Sequence, residues 1–194
     1  MSKKVLVVVD VQKDFYHPDG ALYVKGGEVL PERIAKVIPE FDDVIFTVDW
    51  HPYNHCSFKE NDGIWPAHCV QYTEGASLPN EFMPFLKEGK IIRKGVCFHE
   101  EEYGANPETI ANACTCRSDE EYEMVFCGIA GDYCVSETIR NVIIGKAAVK
   151  FYRFTDYYPS KISVYLDGVA SIDDGTTIRE FMKENNIEEW KPQE

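Results

Sequence analysis

Residues 124–144 read MVFCGIAGDYCVSETIRNVII, which is an apolar run, a turn of small residues and then a helical pattern. The apolar run does not alternate with polar residues, which favours a strand covered on both faces within a parallel sheet. Asp132 is predicted to cap the helix that follows, and this places Cys134 in its first turn. The stretch therefore predicts a β-α unit with a thiol at the junction.

Short β-branched runs repeat this pattern along the chain. Strands are predicted at 5–9, 44–48, 91–92, 124–129, 147–151 and 162–166, and helices at 30–40, 80–87, 106–114, 133–144 and 176–185. This alternation predicts a single doubly wound α/β domain over residues 1–194, with a mostly parallel sheet and helices on both faces. The tail, residues 188–194, is expected to fray because it has no apolar period after Trp190.

The composition excludes several classes of function. Lys and Arg number 20 against 33 Asp and Glu, so the formal net charge is −13. Such an acidic surface would repel nucleic acids and anionic membranes, and a small-molecule substrate is expected instead. No run nears the roughly 18 apolar residues of a membrane span, and the first residues do not resemble a signal peptide. Seven cysteines, an odd number in a chain that needs no disulfides, predict free thiols and a cytoplasmic protein.

Reactive side chains follow the predicted strands. The first strand ends on Asp10, the third on Lys94, and Cys134 comes soon after the fourth. Because ligands bind at the carboxyl ends of parallel strands, these groups are expected to converge as base, cation and nucleophile. The start of the helix would lower the pKa of Cys134, and its backbone N–H groups could hold an oxyanion. Singly, each residue also fits a plainer role: a turn carboxylate, a solvated lysine or a buried thiol.

A second polar group follows the second strand, which ends on Asp49. His51 can point the same way as Asp49, since alternate residues of an extended segment share a face, and His68 lies further along the irregular stretch. One carboxylate and two imidazoles suit an open site for Zn or a similar divalent metal, and Fe and Mn accept the same donors. A polar loop with neutral histidines is the plainer alternative. A closed structural zinc site would instead use His51, His55, Cys56, His68 and Cys69.

Five motifs together resemble one family. They are DVQKDF at 10–15, DWHPYNHCSF at 49–58, WPAHC at 65–69, KG at 94–95 and GIAGDYCV at 128–135. In this order they are similar to the motifs of nicotinamidases of the isochorismatase-like hydrolase superfamily. The resemblance covers most of residues 5–150. It implies a metal-dependent amidase that converts nicotinamide to nicotinate and ammonia through a cysteine thioester, in NAD salvage.

The resemblance also implies roles for individual residues. Asp10, Lys94 and Cys134 would be the catalytic triad, and Asp49, His51 and His68 would hold one divalent ion, with Zn expected ahead of Fe or Mn. The N–H groups of Ala130 and Cys134 would form the oxyanion hole, beside a cis peptide between Ile129 and Ala130. The pyridine ring would lie between Phe15 and Trp65, with Tyr103 in the same pocket. His55 and Ser57 would be a further metal ligand or outer support.

Departures from the family pattern and two alternative functions accompany this resemblance. The stretch after Lys94, VCFHEEEYGAN, is more acidic than in the family, and residues 151–172 match the family only loosely.

The alternatives are a related hydrolase of a carbamoyl or ureido amide, and a catalytically silent protein that binds a small molecule. A vinyl-ether hydrolase would need no metal, which counts against it. Relatives often self-associate, so a homo-oligomer is compatible with the family, although no self-complementary surface can be read from the sequence.

Overall fold

A computed structural model describes residues 2–115, 121–149 and 158–193. Its centre is a parallel sheet of six strands in the order β3-β2-β1-β4-β5-β6. The strands are β1 (Lys3–Val9), β2 (Asp43–Asp49), β3 (Ile91–Lys94), β4 (Tyr122–Ile129), β5 (Lys161–Ala170) and β6 (Glu188–Glu189). Within these ranges no helix has the length and apolar character to cross a membrane.

The sheet is covered on both faces, and this explains its continuous apolar strands. In β1, Leu6 and Val8 pack into one hydrophobic cluster, whereas Val5, Val7 and Val9 pack into the cluster on the opposite face. All five side chains are fully buried. A strand with two buried faces gains apolar burial at every position, so no polar alternation is needed. The predicted doubly wound fold is confirmed.

Helices supply both covers. The α-helices are α1 (Lys13–Tyr16), α2 (Leu30–Val37), α3 (Pro107–Ala113), α4 (Ser136–Val149) and α5 (Thr176–Glu184), and a π-helical turn, Gly131–Val135, leads into α4. Short 3₁₀ helices lie at Gly27–Val29, Ile38–Glu40, Lys59–Asn61, Glu74–Ala76 and Asn80–Phe85. Helix α2 packs through Leu30 and Ile34 on one face. Helices α3, α4 and α5 cover the other face through Ile110, Ile139 and Ile178.

Two predicted elements differ from the structure. The strand expected at 147–151 is wrong as far as the structure describes it, because residues 147–149 continue α4, and its remaining two residues lie outside the described ranges. Ala147 and Ala148 favour helix there, and the single valine, Val149, does not outweigh them. The helix expected at 80–87 is a 3₁₀ helix that ends at Phe85, since Pro84 has no N–H to continue an α-helical ladder.

Two local predictions at chain ends and turns are also wrong. The tail was expected to fray, yet Glu188–Glu189 pairs with β5, and the buried ring of Trp190 packs against Phe41 and Tyr165. Asp132 does not cap α4: its carboxylate accepts hydrogen bonds from the backbone N–H groups of Ile172 and Asp173, both at 3.0 Å. In both cases a contact with a distant segment outweighs the local pattern.

Candidate active site

Four neighbouring strands bring the predicted reactive residues to one edge of the sheet. Asp10 follows β1, Asp49 ends β2, Lys94 ends β3, and Cys134 lies in the π-helical turn after β4. Asp49 and Lys94 are register partners in the β2-β3 ladder. The carboxyl ends of adjacent parallel strands therefore place two carboxylates, an ammonium and a thiol together.

Lys94 is the centre of this group. Its Nζ lies 2.8 Å from Asp10 Oδ2 and 3.7 Å from Cys134 Sγ, and it also donates a hydrogen bond to Asp49 Oδ1. The side chain is only 1% exposed. Thr47 donates to Asp10 Oδ1 at 2.6 Å. Among the described residues, Asp10 Oδ2 is the one buried side-chain oxygen with no well-aligned hydrogen bond, which leaves it free to accept a proton.

The pKa values of the three groups follow from burial and mutual charge. Burial raises the pKa of Asp10 to about 6 although Lys94 opposes the shift. Burial would lower the pKa of Lys94, but Asp10 and Asp49 outweigh it and raise that pKa well above its ordinary value. Burial also raises the pKa of the Cys134 thiol, with Lys94 opposing. The expected lowering at the helix start is therefore wrong, because desolvation of the thiolate dominates.

The three predicted metal ligands lie together beside this group. Ligand atoms of Asp49, His51 and His68 are all within 4.8 Å of one another, and all three side chains are buried. Nδ1 of His51 lies 2.9 Å from the Gly95 carbonyl oxygen, and Nδ1 of His68 lies 2.8 Å from that of Pro66. Each Nδ1–H therefore donates to a carbonyl, and each Nε2 carries the lone pair of the ring; that of His51 lies 3.6 Å from Asp49 Oδ2. This is the arrangement typical of metal-binding histidines, so the donor set fits a divalent ion.

His55 stands behind the ligand set. Its ring lies 4.1 Å from the His51 ring, measured between centroids. Nδ1 contacts Ser57 Oγ at 2.7 Å and Nε2 contacts the carbonyl oxygen of Glu100 at 3.1 Å, so both nitrogens are occupied. Burial lowers the pKa of His55 to about 4, which keeps it neutral. The geometry favours outer support by His55 and Ser57 over direct ligation.

The closed zinc alternative finds no geometric support. The metal-sized clusters in the described ranges do not include Cys56 or Cys69. Burial raises the pKa of Cys69 well above its ordinary value, so this thiol stays protonated. Its backbone N–H donates to Asp14 at 2.7 Å, a contact that fixes the loop next to His68.

Cys134 and the three proposed metal ligands line one cavity. Phe15, Trp65 and Tyr103, expected from the sequence, lie in its wall. The remaining lining residues are Leu22, Val24, Asp49, His51, His68, Glu101, Glu102, Ala130, Tyr133, Cys134 and Ile172. The indole N–H of Trp65 donates to the hydroxyl of Tyr103 at 3.0 Å, and both rings contact Tyr133. These aromatic walls suit a flat ring.

Backbone contacts hold the site in place. Gln12 is fully buried and clamps Asp49 on both sides: its Oε1 accepts from the Asp49 N–H at 2.7 Å, and its Nε2 donates to the Asp49 carbonyl at 2.8 Å. Gly95 has φ +61°, and a Cβ there would lie 2.3 Å from the His51 ring. Only glycine fits against that histidine. The peptide between Ile129 and Ala130 is cis, as expected.

Three further residues of the site, Thr47, Tyr133 and Glu102, are not predicted from the sequence. Thr47 carried a weak signal, as the one hydroxyl inside an apolar strand. Tyr133 and Glu102 carried none, because a tyrosine beside a cysteine and a glutamate in an acidic run have ordinary surface explanations. Their places in the site depend on how distant segments meet.

Comparisons with known proteins agree with this geometry. The model of the isochorismatase domain matches residues 4–144. A nicotinamidase from Acinetobacter baylyi is 33% identical in an alignment of 173 positions that covers 78% of this chain and 78% of that protein. A nicotinamidase from Saccharomyces cerevisiae is 30% identical in an alignment of 224 positions that covers 95% of this chain and 97% of that protein.

Solved structures give the same result. PnC1 from L. infantum, in complex with nicotinate, superposes with a TM-score of 0.76 at 28% identity, over 98% of this chain and 93% of its own. The pyrazinamidase of Pyrococcus horikoshii, in complex with zinc, superposes with a TM-score of 0.73 at 28% identity, over 97% of this chain and 99% of its own. The chain therefore belongs to the isochorismatase domain family and is a relative of its nicotinamidases.

Proposed function

We propose that the protein hydrolyses nicotinamide to nicotinate and ammonia, with Cys134 as the nucleophile and one divalent metal ion at the substrate ring. The observation that carries this proposal is that Cys134 and the Asp49, His51 and His68 set line the same cavity. A nucleophile for the carboxamide therefore lies beside donors for a metal. The nicotinamidases from A. baylyi and S. cerevisiae support the same substrate.

The metal site orients the substrate in this proposal. Asp49, His51 and His68 would hold the ion, and zinc is favoured because it is present in the P. horikoshii relative. Such an ion supplies a Lewis-acid contact for the pyridine nitrogen and so acts as a template. Phe15 and Trp65 are the proposed walls on the two faces of the ring, and Tyr103 holds the Trp65 indole through its hydroxyl.

Acylation uses the chain's own three groups. Asp10 Oδ2 takes the thiol proton as Cys134 Sγ forms a bond to the carboxamide carbon, and the carbonyl electrons move to oxygen. The N–H groups of Ala130 and Cys134 are the proposed donors to that oxyanion. When the carbonyl re-forms, the C–N bond breaks, Asp10 returns its proton to the nitrogen, and ammonia leaves a thioester on Cys134. Lys94 offsets the negative charge on Asp10 and on the attacking sulfur.

Deacylation repeats the proton transfers with water. Asp10 takes a proton from the attacking water, the new C–O bond forms, and the C–S bond breaks. The proton then returns to Cys134, and the acid product ionises to nicotinate. A carboxyl group whose pKa is about 6 can accept and release a proton near neutral pH, which suits both half-reactions.

The setting we infer is NAD salvage in the cytoplasm. Nicotinate is the product that a salvage reaction would consume. Five cysteines of the described ranges, Cys56, Cys69, Cys97, Cys127 and Cys134, are free thiols, which suits a reducing compartment.

The test is ammonia release from nicotinamide by the purified protein loaded with zinc, compared with benzamide, which lacks the ring nitrogen. Release from nicotinamide and little from benzamide is expected. Cys134→Ala should abolish release and still bind nicotinamide in calorimetry, whereas Cys127→Ala, the same change at a buried thiol outside the cavity, should keep wild-type turnover. Undiminished turnover in Cys134→Ala would exclude the covalent route. Folded, zinc-loaded protein without any release would contradict the amidase itself.

A further inference from the structure

The acidic run after Lys94 includes two glutamates that line the cavity, Glu101 and Glu102. Glu100 and Glu101 are exposed, whereas Glu102 is half-buried. Its Oε2 accepts a hydrogen bond from the backbone N–H of Gly95 at 2.9 Å. Its own carbonyl oxygen lies 3.4 Å from Lys94 Nζ. Glu102 therefore contacts the Lys94-Gly95 segment through its side chain and its backbone.

Gly95 passes this contact on to a proposed metal ligand. Its carbonyl oxygen accepts the hydrogen bond from His51 Nδ1 at 2.9 Å, and that bond leaves the lone pair of the ring on Nε2. A glycine has no side chain to fix its orientation, and a larger residue would strike the His51 ring. The Gly95 N–H and C=O are thus held from opposite sides, by Glu102 and by His51.

We infer that Glu102 is a positioning residue, which through Gly95 sets the orientation of His51 and the placement of Lys94. This inference rests on the proposed function for its effect on turnover. It gives the acidic stretch after Lys94, which the family resemblance does not explain, a specific task. Glu102 acts as a hydrogen-bond acceptor of the right length, and its charge is not the essential property.

Loss of the Glu102 carboxylate would leave both His51 and Lys94 less firmly positioned. The partly buried Gly95 N–H would lose its partner, and the segment would turn to find another. Removal of a group that orients a metal ligand typically weakens metal binding by about 10- to 100-fold. Because Lys94 lies on the same segment, kcat should fall together with metal affinity.

Three variants separate position from charge. Glu102→Gln keeps the length and one acceptor oxygen but loses the charge. Glu102→Asp keeps the charge but is one methylene too short to reach Gly95. Glu102→Ala removes both, and Glu88→Gln, at an exposed glutamate outside the site, is the control for loss of one charge. Zinc affinity is measured by competition with a chromophoric chelator, and kcat and KM for nicotinamide are measured on the zinc-loaded proteins.

We expect Glu102→Gln to stay within about 3-fold of wild type in zinc affinity and kcat, whereas Glu102→Asp and Glu102→Ala lose about 10- to 100-fold in zinc affinity. If Glu102→Ala does not fold, the Gln and Asp pair alone decides. Wild-type behaviour of Glu102→Asp, or equal losses in Gln and Asp, would overturn the inference. A wild type that releases no ammonia would refute the proposed function, and the zinc affinities would still test Glu102.

Discussion

Two buried lysines lie at opposite ends of the pair formed by β2 and β3. One belongs to the proposed active site, and the other stabilises the fold. Lys94 ends β3 and pairs with Asp49, the last residue of β2; Lys90 precedes β3 and pairs with Asp43, the first residue of β2. Their side chains are 1% and 8% exposed. Both are cations buried against a carboxylate of the same strand, so burial and pairing alone do not distinguish them.

Their surroundings differ. Lys90 Nζ lies 2.5 Å from Asp43 Oδ2 and also donates to the carbonyl of Ala113, and the same Asp43 oxygen accepts from the N–H and hydroxyl of Thr115. In these contacts both groups have only structural partners. Lys94 instead contacts two carboxylates and a thiol. Of these, Asp49 and Cys134 line the cavity, and Asp10 Oδ2 can still take a proton. A buried ion pair can take part in a reaction when one of its groups can still accept a proton and lies beside a cavity in which a substrate fits.

The largest expected effect is at the carboxyl end. Lys94→Met should lower kcat for nicotinamide by at least about 10³-fold, because the negative charges on Asp10 and sulfur lose their counter-charge. Steady-state ammonia release measures it. Arg93→Met, which removes an exposed cation from the neighbouring strand position, should keep wild-type kcat. A Lys94→Met protein with wild-type turnover would remove the distinction between the two lysines.

The amino end should respond in stability. Lys90→Met should lower the free energy of unfolding by about 3 kcal/mol, because it leaves the Asp43 carboxylate buried without its cation. Urea denaturation measures this, with Lys87→Met at an exposed position as control. At temperatures where the variant is folded, its kcat should match wild type. A large loss of kcat in folded Lys90→Met would mean that this pair also serves the active site.

The smallest effect is the pH dependence at the same end. Burial would raise the pKa of Asp43, but hydrogen bonds from Lys90 and Thr115 outweigh it and lower that pKa from its ordinary value of 3.8. A lowered pKa in the folded state stabilises the protein fully above the unfolded value, and this stabilisation is lost as the pH falls through the folded value. Stability should therefore fall below about pH 4 less steeply in Asp43→Asn than in wild type. The free energy of unfolding of both proteins is measured by urea denaturation from pH 3 to 6. An equal change with pH in wild type and Asp43→Asn would contradict the lowered pKa of Asp43.

Much of the architecture could be predicted because its signals are local. Continuous apolar runs located the strands, since each buries both faces, and the residues that end those strands included Asp10, Asp49 and Lys94. Two of the failures share a cause. Trp190 packs on Phe41, and Asp132 binds a segment 40 residues away. The position of each residue is therefore determined by a contact with a distant segment, which a local sequence pattern does not contain.

The sequence by itself determined the fold class and the set of reactive residues. A short run of residues is enough to indicate a buried strand and the reactive side chains at its end. Only the tertiary structure decided which of several similar groups belong to the site. Lys94 and not Lys90 contacts Cys134, and His68 and Glu102 line the cavity whereas His55 and Glu100 do not. These choices depend on hydrogen bonds between segments far apart in the chain, such as His51 to Gly95, 44 residues away. The free energy of such contacts is set when the whole chain packs, so local sequence does not reveal them.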